Sequence, residues 1–256
     1  MKRLDALFDL TGRVAVVTGG NSGIGKAIAF ALGVQGAKLV LMARRQAELD
    51  AVCAEFADQG IAAIGIPVDL ADRTALEVAC KAAAEPFGTP DILVNCSGIN
   101  IRRPFPELTD DDWDATLAIN LAAPFFMTRA LAPAMKTKGW GRIINIASLQ
   151  SVRAFNNSGP YGASKGGVMQ LTRATAEYWS AFGVTCNAIA PGFFNTPLTA
   201  PVFADPTKAQ RNADATMMGR NGELPDLYGS AIFLASNASA YVTGQTLFVD
   251  GGFSAK

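Results

Sequence analysis

A hydroxyl, a phenol and an ammonium group lie close together in the sequence, and their spacing could support proton transfer. Tyr161 and Lys165 are four residues apart in a helix-like run, so both side chains would lie on one helix face, about 6 Å apart. A nearby ammonium favours the phenolate and lowers a tyrosine pKa from about 10, so this phenol could exchange a proton with an alcohol or a carbonyl. Ser148 precedes the pair, at the end of an apolar strand pattern. A surface tyrosine and lysine on an amphipathic helix would show the same spacing.

The residue types that are missing argue against several other kinds of catalysis. The chain has no histidine, which removes the commonest metal ligand and the usual general base of serine and cysteine hydrolases. A G-x-S-x-G pattern at residues 162–166 falls inside a predicted helix and has no histidine partner. Residues 20–26 satisfy the phosphate-loop pattern G-x-x-x-x-G-K, but Ala27 stands where a magnesium-binding serine or threonine is needed. We therefore expect no metal site.

A glycine-rich turn lies between a predicted strand at residues 13–18 and a predicted helix at residues 24–35. Strand, glycine turn and helix in this order are typical of dinucleotide binding. Gly19, Gly23 and Gly25 would permit a tight turn, close approach of the backbone to a pyrophosphate and close helix packing. An ordinary glycine-rich loop is the alternative.

The second predicted strand, at residues 38–42, ends just before Arg44 and Arg45. Dinucleotide folds often place an acid at this point, against the ribose of NAD. An acid would repel a 2′-phosphate, whereas an arginine can pair with one, so the two arginines predict NADP as the cofactor. NAD is the alternative, with both arginines as solvated charges at the start of the next helix.

Strand and helix patterns alternate along the whole chain without a break in composition. This alternation predicts one α/β domain over residues 1–256, a Rossmann fold with a doubly wound parallel sheet of about seven strands and helices on both faces. Residues 193–223 carry a weak pattern interrupted by prolines, which predicts a mobile segment covering the site, with an ordinary surface excursion as the alternative. The further predicted strands lie at residues 62–68, 91–95, 141–147, 184–190 and 246–249, and the further helices at residues 46–59, 73–87, 110–135, 161–182 and 226–235.

The helix predicted at residues 110–135 contains Pro124, which has no N–H for the carbonyl of Asn120 and whose ring would clash with it. We therefore expect the helix to bend near Asn120 and to leave that carbonyl free to hold a water. A kink that serves only packing is the alternative.

The charge balance limits the kinds of molecule that the chain would bind, and the cysteines indicate its cellular compartment. Lysine plus arginine and aspartate plus glutamate both number 22, so we expect no electrostatic footprint for nucleic acid or for an anionic membrane. The four cysteines are far apart, and neither a signal peptide nor an apolar run of about 18 residues is found. These features predict a soluble, cytoplasmic protein with a small-molecule substrate and no membrane or nucleic-acid partner.

Taken in this order and spacing, the motifs resemble the short-chain dehydrogenase/reductase family across nearly the whole chain. The family motif T-G-x-x-x-G-I-G matches residues 18–25, and Y-x-x-x-K matches Tyr161 and Lys165. The family's serine matches Ser148, and its helical asparagine matches Asn120. The resemblance implies that Tyr161 is the acid/base and that Ser148 hydrogen-bonds the substrate oxygen. It also implies that Lys165 lowers the tyrosine pKa and holds the nicotinamide ribose, and that Asn120 anchors a water linking Lys165 to solvent.

The resemblance also implies which residues bind the cofactor. The family usually reads N-N-A-G after the fourth strand, whereas residues 95–98 of this chain read N-C-S-G. Because Asn95 and Gly98 remain, we expect altered packing beside the cofactor rather than loss of binding. The family's P-G pair matches Pro191 and Gly192. The implied cofactor-binding residues are Gly19, Asn21, Ser22, Gly23, Ile24, Gly25, Arg44, Arg45, Asp69, Leu70, Asn95, Gly98, Tyr161, Lys165, Pro191, Gly192 and Thr196.

Within the family, residues 7–12, 101–104 and 244–252 look similar to gluconate 5-dehydrogenases and related sugar-acid or polyol dehydrogenases. This similarity implies interconversion of a secondary alcohol and a ketone on such a substrate. Arg102 or Arg103 could clamp a sugar-acid carboxylate, although surface or subunit-contact charges are the alternative. The expected substrate residues are Arg102, Arg103, Ser148, Gln150 and Tyr161.

Two other functions and one assembly are also consistent with the sequence. A 3-oxoacyl or other hydrophobic ketone reductase could use the same core, and an apolar segment at residues 193–223 or a basic docking patch would favour it. A catalytically idle nucleotide-binding protein is the third hypothesis, because a fold alone does not establish function. The family is usually a homotetramer, and the small residues Ala163, Gly166 and Gly167 would let their helix approach a partner helix closely.

Overall fold

Seven parallel strands form one sheet through the centre of the protein, as predicted, in a computed structural model that describes residues 4–256. The strands are β1 (Val14–Thr18), β2 (Lys38–Ala43), β3 (Ala63–Pro67), β4 (Ile92–Asn95), β5 (Gly141–Ile146), β6 (Val184–Pro191) and β7 (Thr246–Val249). Their order is β3-β2-β1-β4-β5-β6-β7, so the direction of winding reverses between β1 and β4. In open parallel sheets, ligands bind at the carboxyl ends of the strands beside such a reversal.

Helices cover both faces of the sheet because the strands are apolar on both sides. Along β1, Ala15 and Val17 belong to one buried cluster, whereas Val14 and Val16 belong to the other, as the twofold alternation of a strand requires. The helices are α1 (Gly23–Val34), α2 (Gln46–Ala57), α3 (Arg73–Ala82), α4 (Asp110–Leu117), α5 (Ala123–Lys138), α6 (Gly159–Trp179), α7 (Ala200–Phe203), α8 (Pro206–Asp214) and α9 (Tyr228–Ala235). The predicted doubly wound α/β fold is therefore confirmed.

Several helix boundaries differ from the predicted ones. The predicted helix at residues 73–87 ends at Ala82, and α9 begins at Tyr228 after a short 3-10 turn. The helix α6 begins at Gly159 rather than at Tyr161. Pro160 is compatible with the first helical turn, because the backbone N–H groups there have no partner within the helix. The segment 193–223 contains the short helices α7 and α8 instead of irregular chain alone.

A single π-helical turn, Ala118–Ala122, lies between α4 and α5 at the position where the bend near Asn120 is predicted. The backbone N–H of Ala123 donates to the carbonyl of Ala118, five residues back. Pro124 lies in the first turn of α5. The wider turn is the local response to a proline that can neither donate a hydrogen bond nor tolerate a carbonyl four residues before it.

The continuous helical stretch Asp110–Lys138 contains an apolar 18-residue window with a mean hydropathy of 1.3, which the sequence analysis did not identify. By length and composition alone this stretch could cross a membrane, and 44% of its window is buried inside the structure. Met127, Leu131 and Met135 are buried against the sheet in the same cluster as β1 and β2. This packing is that of a core helix, and core helices can have the length and hydropathy of a helix that crosses a membrane.

Candidate active site

A cavity of about 930 Å³ opens at the carboxyl ends of the strands, where the winding reverses. Its wall is built by the glycine-rich turn after β1, by the ends of β2 and β3, and by the loops after β4, β5 and β6. One face of α8 closes a further side of the cavity. Most of the residues singled out in the sequence line this cavity, and Asn95, Arg103 and Asn120 do not.

The glycine-rich turn has the geometry that a closely approaching ligand needs. Gly19 and Gly23 have φ angles of 68° and 52°, in the left-handed region that favours glycine. A Cβ on Gly25 would lie 2.2 Å from the Gly19 carbonyl oxygen, so α1 packs directly on the turn. The hydroxyl of Thr18 accepts hydrogen bonds from the backbone N–H groups of Cys96 and Ser97, at 2.9 and 3.1 Å. The turn is thereby joined to the loop after β4.

The two arginines after β2 have different surroundings. Arg44 lies exposed at the cavity wall, and no hydrogen bond or ion pair of its side chain is found within the described part of the chain. The Arg45 guanidinium is instead bonded to Glu48, partly through a 2.7 Å hydrogen bond from Nη2. Glu48 also accepts a 2.6 Å hydrogen bond from Nδ2 of Asn21 in the glycine-rich turn. Arg45 and then Asn21 hold the pKa of the Glu48 carboxyl below its usual value.

Ser148, Tyr161 and Lys165 converge at the bottom of the cavity. Ser148 follows β5, and its hydroxyl accepts a 3.1 Å hydrogen bond from the backbone N–H of Gln150. Ser148 and the buried Tyr161 of α6 both line the cavity. One turn further along α6, the Lys165 ammonium lies 5.7 Å from the centre of the Tyr161 ring. It donates a 2.6 Å hydrogen bond to the carbonyl of Ile146 at the end of β5. The three groups predicted from sequence spacing therefore share one site.

Burial dominates the protonation of these groups. The pKa of Tyr161 is raised above its usual value, mainly by burial, although the nearby Ser148 side chain and the charge of Arg102 act to lower it. Burial also lowers the pKa of Lys165 to about 8. On balance the pKa of Tyr161 is therefore raised, although the Lys165 ammonium lies one helical turn away. The reason is that desolvation opposes both charged forms, the phenolate as well as the ammonium.

Asn120 fixes the loop after β4 from outside the cavity. Its amide accepts from the backbone N–H of Ile99 and donates to the carbonyl of Ile99, both at 2.9 Å, and it donates to the Ser164 hydroxyl at 3.0 Å. A Cβ on Gly98 would lie 3.7 Å from the Lys165 nitrogen, so the clamped loop passes directly over the lysine. The π-helical turn therefore sets the position of one cavity wall.

Two residues predicted at the site are engaged elsewhere. Arg103 forms a 3.3 Å ion pair with Asp112 on α4, whereas its neighbour Arg102 lines the cavity. Asn95 is buried in the sheet and donates a 2.8 Å hydrogen bond to Asn145 on β5. The sequence could not separate these cases, because it does not show to which side of a loop or strand a side chain points.

Several cavity residues were missed in the sequence. Lys208, Arg211, Asn212 and Ala215 form one helical face at a spacing of three to four residues, which a helical pattern in the segment 193–223 would have revealed. The loop after β4 contributes Asn100, and four phenylalanines complete the wall, Phe155, Phe193, Phe194 and Phe253.

The cavity wall is strongly cationic although the whole chain has no formal net charge. Only one carboxylate, that of Asp69, belongs to the wall as the described residues define it. The same part of the chain contains no cluster of three or more potential metal ligands of the histidine, cysteine, aspartate or glutamate type. The cationic side chains of the wall are Arg44, Arg45, Arg102, Lys165, Lys208 and Arg211.

Comparison with known proteins identifies the family. A family model described as enoyl-(acyl carrier protein) reductase matches residues 19–254. The gluconate 5-dehydrogenase of Gluconobacter oxydans (strain 621H) is 39% identical over 97% of this chain and 97% of its own length. The chain belongs to the short-chain dehydrogenase/reductase family. The 3-oxoacyl-[acyl-carrier-protein] reductase of Synechocystis sp. (strain PCC 6803) is 36% identical over 95% of this chain and 97% of its own length.

The solved structures agree with this family. A gluconate 5-dehydrogenase from Burkholderia cenocepacia J2315, crystallised with NADP and tartrate, superposes with a TM-score of 0.95 at 38% identity. The superposition covers 99% of this chain and 100% of that one. As a short-chain dehydrogenase/reductase, the chain is an NAD(P)-dependent oxidoreductase that acts on CH–OH groups.

Proposed function

We propose that this short-chain dehydrogenase/reductase interconverts a secondary alcohol and a ketone on a sugar acid, with NADP as its cofactor. The observation that carries the proposal is Arg102, an exposed cation in the wall of the cavity that also contains Ser148 and Tyr161. A carboxylate is the group that an arginine beside the reacting centre would bind, often through two parallel hydrogen bonds. The names of the gluconate dehydrogenases above support the same substrate class.

The residues present fit NADP. The turn at Gly19 and Gly25 leaves no room for a Cβ but exposes backbone N–H groups at the start of α1, where a pyrophosphate is favoured. Arg44 is available for a 2′-phosphate, and it is the unpaired member of the arginine pair. Of the other residues proposed to hold the cofactor, those lining the cavity are Asn21, Ser22, Gly23, Ile24, Arg45, Asp69, Leu70, Gly98, Pro191, Gly192 and Thr196.

The side chains supply proton transfer and orientation. NADP, when bound, supplies the acceptor or donor of the hydride. The Tyr161 phenol would exchange the proton of the substrate oxygen, and the Ser148 hydroxyl would hold that oxygen. Lys165 would favour the phenolate and hold the nicotinamide ribose, and Asn120 would anchor a water that links Lys165 to solvent. Burial keeps competing water away from these groups.

Replacing Arg44 by alanine is expected to weaken NADPH binding by about tenfold or more, because a charge-assisted contact to the 2′-phosphate is lost. NADH binding should not change. Arg129→Ala is the matched control, since Arg129 is ion-paired with Glu77 and does not line the cavity. Titration with each cofactor, followed by nicotinamide fluorescence, measures these affinities. Tighter binding of NADH than of NADPH by the unmodified protein would contradict the assignment of NADP.

The substrate proposal is tested with D-gluconate and with galactitol, a neutral polyol. Arg102→Ala is expected to raise KM for D-gluconate about tenfold or more, because the carboxylate loses its partner, and to change KM for galactitol much less. Arg103→Ala serves as the control, since Arg103 is paired with Asp112 outside the cavity. Faster turnover of galactitol than of gluconate, or an equal effect of both substitutions, would contradict a sugar-acid substrate.

Reduction of a 3-oxoacyl substrate is the second candidate, favoured by the similarity to the Synechocystis reductase. The segment 193–223 also favours this candidate, because Phe194, Leu198 and Val202 give its cavity side an apolar part and Lys208 and Arg211 give it a basic part. Arg102, beside the loop after β4, favours the sugar acid instead. We also propose that the segment 193–223 moves to cover the site. Faster reduction of acetoacetyl-CoA than of 5-ketogluconate would decide for the second candidate.

We further propose a cytoplasmic homotetramer. Ala163 is exposed on α6 and Gly166 is half-buried, which leaves a small-residue surface for a partner helix. Gly167 is explained inside the chain, because a Cβ there would lie 2.9 Å from the Leu121 side chain. A monomeric mass by light scattering would contradict the assembly.

A further inference from the structure

The side chain of Asn100 is a polar group without a partner in the cavity wall. Asn100 follows the loop that passes over Lys165, and its Oδ1 is fully buried with no hydrogen-bond partner. Its Nδ2 is not buried and forms no hydrogen bond within residues 4–256, so this end of the amide is the one open to the cavity. A buried polar group that is left unpaired is destabilising, so native proteins nearly always satisfy it with protein, water or ligand.

The neighbouring backbone cannot turn away to relieve Asn100. Ile99, the preceding residue, is held at both its N–H and its carbonyl by the Asn120 side chain, at 2.9 Å each. Asn120 is itself almost completely buried in the π-helical turn. The amide of Asn100 is therefore presented to the cavity by a rigid part of the fold rather than by a loose loop.

Asn100 differs from the other buried polar atoms without a partner. Three more are found among the described residues, on Asn95, Thr185 and Asn221, and none of these residues lines the cavity. The amides of Asn95 and Asn221 also donate hydrogen bonds within the chain, to Asn145 and to the carbonyl of Ala209. An amide with no partner at either end, facing the cavity, is thus specific to Asn100 within the described part of the chain.

We propose that Asn100 binds a hydroxyl group of the substrate, so that the site takes a polyhydroxy acid with its carboxylate on Arg102 and a hydroxyl on Asn100. A hydroxyl both donates and accepts, so it satisfies the amide whichever way the amide is turned. Arg102 is only two residues further along the same wall. This inference rests on the proposed function and adds a second recognition element to it.

The first arm of the test uses Asn100→Leu, which removes the amide but keeps a similar volume. Because no hydrogen bond within the chain is lost, the melting temperature is expected to stay the same or to rise. NADPH affinity should be unchanged, whereas KM for D-gluconate should rise about tenfold or more. The matched control is Asn187→Leu, since the Asn187 amide is satisfied inside the chain by Val242 and Gln245. That variant should melt at a lower temperature.

The second arm uses Asn100→Asp, which keeps the shape and an acceptor but adds a negative charge. Its KM should rise more for D-gluconate than for galactitol, because the new charge repels a carboxylate and not a hydroxyl. This variant also tests the site if Asn100→Leu does not fold.

The outcomes separate this inference from the proposed function. A fall in the melting temperature of Asn100→Leu like that of Asn187→Leu, or an unchanged KM, would overturn the role of Asn100. If the unmodified protein turns over galactitol but not D-gluconate, the sugar-acid function fails, and a raised KM of Asn100→Leu for galactitol still supports the inference. Turnover of neither compound would overturn both.

Discussion

Tyr161→Phe is expected to lower kcat by about 10²–10⁴, the usual contribution of a positioned general acid or base, and to leave the affinity for NADPH unchanged. The substitution removes the phenol that lines the cavity together with Ser148 and keeps a ring of nearly the same size in the buried site. Stopped-flow absorbance at the nicotinamide band measures turnover, and fluorescence titration measures cofactor binding.

The control for this experiment is Tyr178→Phe. Tyr178 is on the same helix, is 62% exposed and does not line the cavity, so this variant should retain normal turnover. Retained activity in Tyr161→Phe would refute the mechanism. If the unmodified protein binds NADPH but reduces or oxidises no substrate in the panel, the hypothesis of a catalytically idle nucleotide-binding protein would replace it.

The second large effect is expected from Gly25→Ala. The new Cβ would lie 2.2 Å from the carbonyl oxygen and 2.7 Å from the carbonyl carbon of Gly19, which are backbone atoms that cannot rotate away. The glycine-rich turn must then separate from α1. Because a displacement of about 1 Å in a positioned site can reduce function by about 10²-fold, the Kd for NADPH should rise by about that factor.

Gly229→Ala provides the matched control for Gly25→Ala. Both glycines lie in helices, but nothing is within 4 Å of a Cβ on Gly229 in α9. Alanine favours a helix over glycine, so Gly229→Ala should melt at the same or a higher temperature and bind NADPH normally. Calorimetry and cofactor titration check both variants. Normal NADPH affinity in Gly25→Ala would show that the turn does not carry the pyrophosphate.

The fold could be predicted from the sequence because its signals are periodic. Apolar strand patterns alternate with helical patterns, and β1 is followed at once by the glycine-rich turn. The predicted bend at Asn120 followed from a single chemical fact, the missing N–H of Pro124. Boundaries such as the start of α6 at Gly159 were less certain, because a helix end depends on one or two local hydrogen bonds.

The candidate site could be predicted where spacing specifies a helix face or a strand end. Tyr161, Lys165 and Ser148 were of this kind. The pairing of Arg45 with Glu48 could not be foreseen, because Asn21, 27 residues before Glu48, takes part in it. Asn100 carried no signal either, since a neutral amide in a loop becomes informative only when its burial and lack of partners are known.

The cationic cavity of an overall neutral chain has a kinetic consequence. The chain has no formal net charge, and salt screens its individual charges beyond the Debye length of about 8–10 Å. The protein therefore attracts a charged molecule in bulk solution only weakly. Inside the mouth of the cavity, Arg44, Arg102 and Arg211, for which no ion pair is found among the described residues, act without that cancellation and with less solvent between the charges. The wall charges therefore slow the dissociation of a bound anion more than they speed its association. Selectivity among anions then resides in the dissociation rate constant and not in the association rate constant.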